Sequence, residues 1–170
     1  RARGLEVRVA DTRAAPPGLD TLREQVPDAE LHTGPFTPAL LDGVAQVVIS
    51  PGLALAEPVA VEAQRRGLPV VGDVELFARE AQAPVAAITG TNGKSTVTAL
   101  LAELASAAGR AAVAGGNLGE PALDLLERPL PQLYVLELSS FQLETTHSLR
   151  TAVATVLNVT PDHLDRYGTL

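Results

Sequence analysis

Residues 85–96 read Val-Ala-Ala-Ile-Thr-Gly-Thr-Asn-Gly-Lys-Ser-Thr, an apolar stretch followed by a glycine turn, a lysine and two hydroxyl residues. The apolar stretch predicts a buried strand over residues 85–89, and residues 95–108 have a helical pattern that ends before Gly109. Glycines let backbone N–H groups turn toward an anion, and the start of a helix adds further donors. A strand, a glycine turn and a helix in this order predict a phosphate-binding loop.

Lys94 carries the positive charge of this loop. The chain has 13 Lys and Arg residues, and Lys94 is its only lysine. A lysine at this position can neutralise the β- and γ-phosphates of a nucleotide, and a following hydroxyl can bind Mg²⁺. The match to G-x-x-x-x-G-K-S/T is imperfect, because Ile88 stands where the first glycine belongs. A helix-capping turn without function is the alternative, which the strand and helix context disfavours.

Short β-rich runs alternate with amphipathic ones on both sides of the loop. Further strands are predicted at residues 5–10, 45–50, 68–71, 111–114, 133–138 and 152–159. Further helices are predicted at residues 58–66, 73–82 and 121–126, and one more begins at Pro161. Strands that alternate with helices predict an α/β fold with parallel sheets. We place a domain boundary near residues 83 and 84, with neither half complete.

Composition excludes several classes of protein. The 170 residues contain 20 Asp and Glu against 13 Lys and Arg, a net charge of −7, and no Cys. The absence of cysteine excludes a disulfide framework and a cysteine zinc site. An acidic chain without a basic patch argues against a role in binding nucleic acid or an anionic membrane. No apolar run reaches the ~18 residues of a spanning helix, so we expect a cytoplasmic protein.

Polar residues follow the predicted strands at the edge where parallel strands place their carboxyl ends. Glu137 is positioned to help bind Mg²⁺, or faces solvent as an ordinary strand-end residue. His163 is a metal ligand or a hydrogen-bonded surface histidine, with equal weight. Asn117 lies in a glycine turn that either approaches a ligand or is a plain loop. Ser139 offers a polar contact in the same crevice or caps the next helix.

Several segments together resemble the Mur ligases. Residues 90–96, 115–119, 136–144 and 158–167 match the family's motifs in order. Residues 11–13, 16–20 and 50–56 resemble its nucleotide-sugar domain. The resemblance implies an incomplete Rossmann-like nucleotide-sugar domain over residues 1–83, followed by an incomplete P-loop ATPase-type domain with parallel strands over residues 84–170. The family's C-terminal domain, which binds D-glutamate, would be absent.

The branch of the family that these segments match implies a specific activity. It is the ATP-dependent ligation of D-glutamate to UDP-N-acetylmuramoyl-L-alanine through an acyl phosphate, in peptidoglycan precursor synthesis. The implied cofactors are ATP and Mg²⁺, and the expected state is a cytoplasmic monomer without nucleic-acid or membrane partners. Such an enzyme serves cell wall biogenesis, cell shape and cell division.

The resemblance also implies roles for individual residues. ATP phosphates would be held by Gly90, Thr91, Asn92, Gly93, Lys94, Ser95 and Thr96. Metal ions would be bound by Ser95, Thr96, Glu137 and His163, and Lys94 and His163 would be catalytic. The UDP-sugar substrate would be contacted by Thr12, Arg13, Ser50, Asn117, Ser139 and Gln142.

Two departures from the family suggest a fragment. The glycine turn that holds the UDP diphosphate in the family has no match here. A carbamylated lysine that the family places after the Asp-His segment has no counterpart, because Lys94 is the only lysine. We therefore expect the 170 residues alone not to catalyse ligation. The alternatives are another Mur-family or folylpolyglutamate-type amide ligase, a generic P-loop kinase or GTPase, and a non-catalytic nucleotide-binding module.

Overall fold

The computed structural model describes residues 4–168. The chain divides into two compact units, one that ends at Val44 and one that begins at Ala45. The predicted boundary between residues 83 and 84 lies within the second unit and stays a prediction. In the described range, no helix has both the length and the apolar character needed to cross a membrane.

The first unit is built on two parallel strands. It contains β1 (Arg8–Asp11), α1 (Leu19–Gln25), β2 (Glu30–Thr33) and a 3₁₀ helix at Pro38–Leu41. Arg8 stands opposite Glu30 in the β1–β2 pair and donates from Nε to its Oε2 over 2.7 Å. The sequence pattern predicts neither α1 nor β2. No residue of α1 is buried, so it lacks the apolar face from which helices are recognised.

The second unit opens with a small parallel pair. It contains β3 (Val47–Val48), α2 (Pro58–Arg65), β4 (Val70–Val71) and α3 (Asp73–Glu80), and β3 pairs with β4. Both predicted helices are confirmed, with α2 beginning at a proline as the sequence indicates. The two predicted strands are present but shorter, because their ladder joins only two residues of each.

A four-stranded parallel sheet forms the body of the second unit. Its strands are β5 (Val85–Thr89), β6 (Ala112–Gly116), β7 (Leu133–Glu137) and β8 (Val153–Val156), in the order β6-β7-β5-β8. The long helix α4 (Lys94–Ala107) follows β5. These parallel sheets confirm the predicted α/β class. Because the strands are parallel, the residues that follow them gather at one edge of the sheet.

The core lies between this sheet and α3. Phe77 of α3 is fully buried and meets Tyr134 of β7 edge to face, with ring centroids 5.0 Å apart. Leu125 and Leu136 complete the same buried cluster. This packing holds β7 rigidly, and with it the residues at its carboxyl end.

Three predicted elements after residue 120 also differ in the structure. The predicted helix over residues 121–126 is a 3₁₀ helix at Asp124–Glu127. The predicted strand over residues 152–159 ends at Val156, because Asn158 and Thr160 bind the glycine loop instead of extending the sheet. The prediction of a helix start at Pro161 was wrong. The helix there, α6 (Leu164–Tyr167), begins three residues later, after His163. A further short helix, α5 (Ser140–Leu143), lies between β7 and β8.

Candidate active site

The glycine loop between β5 and α4 adopts a conformation that needs its glycines. Gly90 and Gly93 have φ angles of 138° and 84°, which residues with a side chain rarely adopt. A Cβ on Gly90 would lie 3.1 Å from the backbone nitrogen and oxygen of Asn158. Gly93 directly precedes α4, whose first residue is Lys94. The loop therefore leads into the N-terminus of α4, where the backbone N–H groups of a first helical turn suit an anion.

The segment after β8 holds this loop in place. The backbone nitrogen of Asn92 donates to Oδ1 of Asn158 over 2.8 Å, and Nδ2 of Asn158 donates back to the Asn92 carbonyl over 2.9 Å. The backbone nitrogen of Thr160 donates to Oγ1 of Thr91 over 3.0 Å. These hydrogen bonds fix the shape of the loop. The sequence pattern did not single out Asn158 and Thr160 for this role.

The Lys94 ammonium lies against its own loop. Its Nζ donates to the carbonyl oxygen of Gly90 over 2.7 Å and to that of Thr91 over 3.1 Å. These contacts keep the charge at the mouth of the loop rather than extended into solvent. An arriving phosphate oxygen would compete for the same ammonium protons.

Glu137 and Asn117 meet at the ends of neighbouring strands. Glu137 is only 3% exposed at the end of β7, and Nδ2 of Asn117 donates to its Oε1 over 2.8 Å. The Asn117 backbone nitrogen also donates to the Glu137 carbonyl over 2.8 Å. A Cβ on Gly116 would clash with that carbonyl, so the close approach needs a glycine. The arrangement orients a carboxylate on the strand beside β5, which leads into the glycine loop.

A cavity of 730 Å³ opens at this edge of the sheet. Its volume is that of a site for a nucleotide-sized ligand. The predicted site residues that line it are Gly90, Thr91, Lys94, Asn117, Ser139 and His163. The other predicted residues of the second unit do not line it: Ser50, Asn92, Gly93, Ser95, Thr96, Glu137 and Gln142.

Ser139 and Gln142 form a capping box at the start of α5. The Gln142 backbone nitrogen donates to Oγ of Ser139 over 3.2 Å, and the Ser139 backbone nitrogen donates to Oε1 of Gln142 over 3.1 Å. Nε2 of Gln142 donates to Oδ2 of Asp73 over 3.1 Å, and Gln142 is 3% exposed. The geometry shows that Ser139 caps α5, which is one of the two roles that the sequence offered for it. A substrate contact by either residue stays a prediction.

His163 stands at the cavity in an uncommon backbone conformation. Its φ of 50° is the only positive value at a non-glycine within residues 4–168, and it caps α6. The backbone nitrogen donates to Oδ1 of Asp162 over 2.9 Å. The imidazole lies with its centroid 4.6 Å from that of Phe141, and half of the side chain is exposed. The ring is therefore available to a ligand.

The predicted substrate residues of the first unit lie directly after β1. Arg13 donates from Nε and Nη2 to the two carboxylate oxygens of Asp11 over 2.9 and 2.6 Å. These hydrogen bonds lower the pKa of Asp11 to about 2, so its carboxylate stays ionised and orients the guanidinium. Thr12 lies between them on an exposed turn. In the second unit, Ser50 is exposed just beyond β3.

The oxygen donors at the loop suit a hard cation that is shared with a phosphate. Among residues 4–168, no three His, Asp or Glu side chains cluster into a protein-only metal site. Mg²⁺ commonly uses one or two carboxylates and completes its shell with phosphate oxygens and waters. Glu137 and the hydroxyls of Ser95 and Thr96 are donors of that kind. The chemistry of the residues present therefore fits Mg²⁺ together with a nucleotide.

Comparisons with known proteins identify the family. A family model described as Mur ligase MurD-like, N-terminal domain, matches residues 1–72, and one described as Mur ligase middle domain matches residues 88–170. The chain belongs to the Mur ligase family. The confirmed resemblance extends over both predicted halves of this Mur ligase chain.

Curated relatives are similar along nearly the whole Mur ligase chain. The UDP-N-acetylmuramoylalanine--D-glutamate ligase of Nitrosococcus oceani is 59% identical over 169 residues, covering 99% of this chain and 37% of the relative. The protein of the same name from Pectobacterium atrosepticum is 60% identical over 166 residues, covering 98% of this chain and 37% of the relative. This Mur ligase chain thus spans little more than a third of their length.

Solved structures share the fold. A UDP-N-acetylmuramate:L-alanyl-gamma-D-glutamyl-meso-diaminopimelate ligase from Neisseria meningitides has a TM-score of 0.55 at 22% identity, covering 98% of this chain and 56% of that one. The UDP-N-acetylmuramate-alanine ligase MurC from Thermotoga maritima has a TM-score of 0.50 at 22% identity, covering 98% of this chain and 39% of that one. At this identity the likeness concerns the fold of the Mur ligase chain alone.

Proposed function

We propose that this Mur ligase chain belongs to an ATP-dependent ligase that joins D-glutamate to UDP-N-acetylmuramoyl-L-alanine in peptidoglycan precursor synthesis. The observation that carries the proposal is the 58–60% identity, over almost the entire chain, to relatives named for that reaction. The glycine loop, the oriented Glu137 and the 730 Å³ cavity accord with the ATP chemistry that such a reaction needs.

The proposal includes two functional parts. Residues 1–83 would form a Rossmann-like nucleotide-sugar domain, and residues 84–170 would form a P-loop ATPase-type domain. The ranges of the two family models, residues 1–72 and 88–170, support a boundary in the interval between them.

The glycine loop is proposed to hold the phosphates of ATP. Residues 90–96 would surround the phosphate oxygens, with backbone N–H groups of the first turn of α4 as donors, and Lys94 would neutralise the β/γ side. Ser95 or Thr96 with Glu137 would hold one Mg²⁺, and His163 would hold a second metal ion. When bound, the metal ions neutralise the charge of the phosphates. The oriented carboxylate of Glu137 supports its place in this set.

The reaction itself is proposed to need accurate positioning more than covalent chemistry. The alanyl carboxylate of the substrate would attack the γ-phosphorus of ATP and release ADP. The amine of D-glutamate would then attack the carbonyl carbon of the acyl phosphate, forming the amide and releasing phosphate. Phosphoryl transfer of this kind depends on alignment and charge neutralisation. Lys94 and the loop amides supply both, because the segment after β8 holds the loop in shape.

Substrate contacts are proposed for two regions. Thr12 and Arg13 would bind the uracil end, and the ion pair between Arg13 and Asp11 supports this by orienting the guanidinium. Ser50 would lie beside the nucleotide sugar. The muramoyl-alanyl part would be contacted by Asn117, Ser139 and Gln142. We still expect the protein to be a cytoplasmic monomer. We also expect these 170 residues alone not to catalyse ligation.

A chimera tests the proposed function. The chain would replace its matching segment in the Nitrosococcus oceani relative, and phosphate release would be measured with ATP, Mg²⁺, UDP-N-acetylmuramoyl-L-alanine and each amino acid in turn. We expect release that depends on D-glutamate and is lost in the chimera carrying Lys94→Ala. Release that depends on L-alanine, L-lysine or diaminopimelate instead would refute the D-glutamate assignment.

A further inference from the structure

Arg166 connects three segments of the second unit that are far apart in sequence. Its Nε and Nη2 donate to the two carboxylate oxygens of Glu144 over 3.0 and 2.6 Å. Its Nη1 donates to the Pro51 carbonyl over 2.9 Å, and Nη2 reaches the Leu53 carbonyl over 3.4 Å. The guanidinium carbon lies 4.2 Å above the centroid of the Phe141 ring. One side chain thus joins α6, α5 with its C-cap, and the segment after Ser50.

This arrangement is largely shielded from water. The side chain of Arg166 is 13% exposed and that of Glu144 is 20% exposed. Burial opposes ionisation of Glu144, but the hydrogen bonds from Arg166 and Tyr167 outweigh it and lower the pKa of Glu144. A two-pronged ion pair with this degree of burial is geometrically specific, and lysine could not reproduce it.

The helix that carries Arg166 is too short to be stable by itself. Helix α6 has four residues, far fewer than an isolated helix needs. Its backbone is bonded to the preceding residue, since the nitrogens of Arg166 and Tyr167 donate to the His163 carbonyl over 3.0 and 3.1 Å. The position of His163 therefore depends on the side-chain contacts that hold α6.

Phe141 links the two side chains directly. Its ring contacts the Arg166 guanidinium, and its centroid lies 4.6 Å from that of the His163 imidazole. Tyr167 also contacts this surface, since its side chain hydrogen-bonds Glu144 and its ring centroid lies 6.0 Å from that of Phe141. A shift of Arg166 would remove the ion pair with Glu144 and the contacts with Pro51 and Leu53 that fix α6 beside Phe141.

We propose that Arg166 is a positioning residue, which holds His163 at the cavity by tying α6 to Phe141, Glu144 and the carbonyls of Pro51 and Leu53. The inference rests on the proposed function, in which His163 binds a metal ion and Ser50 contacts the nucleotide sugar. Arg166 then couples the metal ligand to the segment that carries the substrate contact. Groups that orient a metal ligand typically change metal affinity 10- to 100-fold when they are removed.

NMR of the 170-residue chain tests the coupling without any ligand. The imidazole signals of His163 would be assigned with His163→Gln, and contacts to the Phe141 ring would be measured by NOE. We expect these NOEs and the ring-current shift of His163 to be lost in Arg166→Met, while His32 and His147 keep their shifts. Arg150→Met, at an exposed arginine, is the matched control and should change none of them.

A second, milder substitution tests the same contact in case Arg166→Met does not fold. Glu144→Gln keeps the volume of the side chain but removes the charge that binds Arg166, so it should weaken the same NOEs in a folded chain. Unchanged contacts between His163 and Phe141 in folded Arg166→Met and Glu144→Gln would overturn the inference.

A second measurement separates the inference from the proposed function. ATP with Mn²⁺ would be titrated into each variant, and paramagnetic broadening of the His163 imidazole would be followed. We expect broadening in the unmodified chain. In Arg166→Met the apparent affinity for ATP with Mn²⁺ should be at least about tenfold weaker. An unmodified chain whose His163 is not broadened would refute its metal role, whereas equal broadening in both chains would refute the role of Arg166.

Discussion

The side-chain amide of Asn117 donates a hydrogen bond of 2.8 Å to the buried carboxylate of Glu137. Asn117 directly follows β6, and Glu137 is the last residue of the adjacent parallel strand β7. Asn117 lines the cavity, and its amide orients one carboxylate oxygen of Glu137. The contact depends on how closely the backbone at Gly116 approaches Glu137.

Replacing Gly116 with alanine should therefore destabilise the chain and disturb Glu137. The new Cβ would clash with the Glu137 carbonyl, and Gly116 also has a φ of 113°. Gly119→Ala is a matched control, because its φ is 80° and a Cβ there would meet nothing within 4 Å. Urea unfolding should show a loss of about 1 kcal/mol for Gly119→Ala and clearly more for Gly116→Ala. Equal losses would mean that the close approach does not matter.

Replacing Lys94 with alanine should abolish most nucleotide binding. In the proposed function the ammonium neutralises the β- and γ-phosphates, so we expect affinity for ATP–Mg²⁺ to fall at least about tenfold. Isothermal titration calorimetry measures the change. Arg110→Ala removes a positive charge beyond the far end of α4 and should leave affinity unchanged. An affinity for Lys94→Ala equal to that of the control would contradict the phosphate-loop interpretation.

Glu75 should make stability depend on pH in the acid range. Burial opposes its ionisation, but hydrogen bonds from the backbone of His147 and Ser148, the Ser148 hydroxyl and Arg79 lower its pKa from 4.5 to about 2. A lowered pKa in the folded state stabilises the fold above about pH 4.5, and this contribution disappears as the pH falls toward 2. The carboxylate thus fastens the loop after α5 to α3.

Glu75→Gln should consequently cost about 2 kcal/mol at neutral pH, since hydrogen bonds to a charged acceptor are lost. Its free energy of unfolding should also vary less between pH 5 and about pH 2 than that of the unmodified chain. Glu103→Gln, at an exposed position on α4, is the control and should follow the unmodified curve. Parallel curves for all three chains would exclude the role of Glu75.

Asn158 should govern the mobility of the glycine loop. Asn158→Ala removes both side-chain hydrogen bonds to the backbone of Asn92, so the Asn92 amide should exchange with solvent faster. We expect ATP affinity to fall about fivefold, equivalent to roughly 1 kcal/mol, since the loop must then be ordered on binding. Asn117→Ala should not alter exchange at Asn92. Unchanged exchange in Asn158→Ala would show that the loop is held by other contacts.

Local features of the sequence were sufficient for the glycine loop and for the alternation of strands and helices. Gly90, Gly93 and Lys94 act within a few residues of one another, and backbone conformation there depends on the residues themselves. The apolar run of residues 85–89 likewise predicted a buried strand, which the structure has as β5. Helix α1 escaped prediction because it has no buried face.

Contacts between distant segments were beyond prediction from the sequence. Arg166 meets Pro51 across 115 positions and Glu144 across 22, and no pattern in one segment announces the other. The same holds for Asn92 and Asn158, which are 66 positions apart. Ser139 offered both a cap and a substrate contact, and its hydrogen bonds with Gln142 in the structure showed the cap.

By itself, the sequence determined the α/β class, the glycine loop and the family motifs, because each follows from side chains and glycines a few residues apart. The tertiary structure decided which polar groups hold others in place. Hydrogen-bond partners such as Asn117 with Glu137, or Arg166 with Glu144, are selected by strand order and helix packing, and these exist only once the chain has folded.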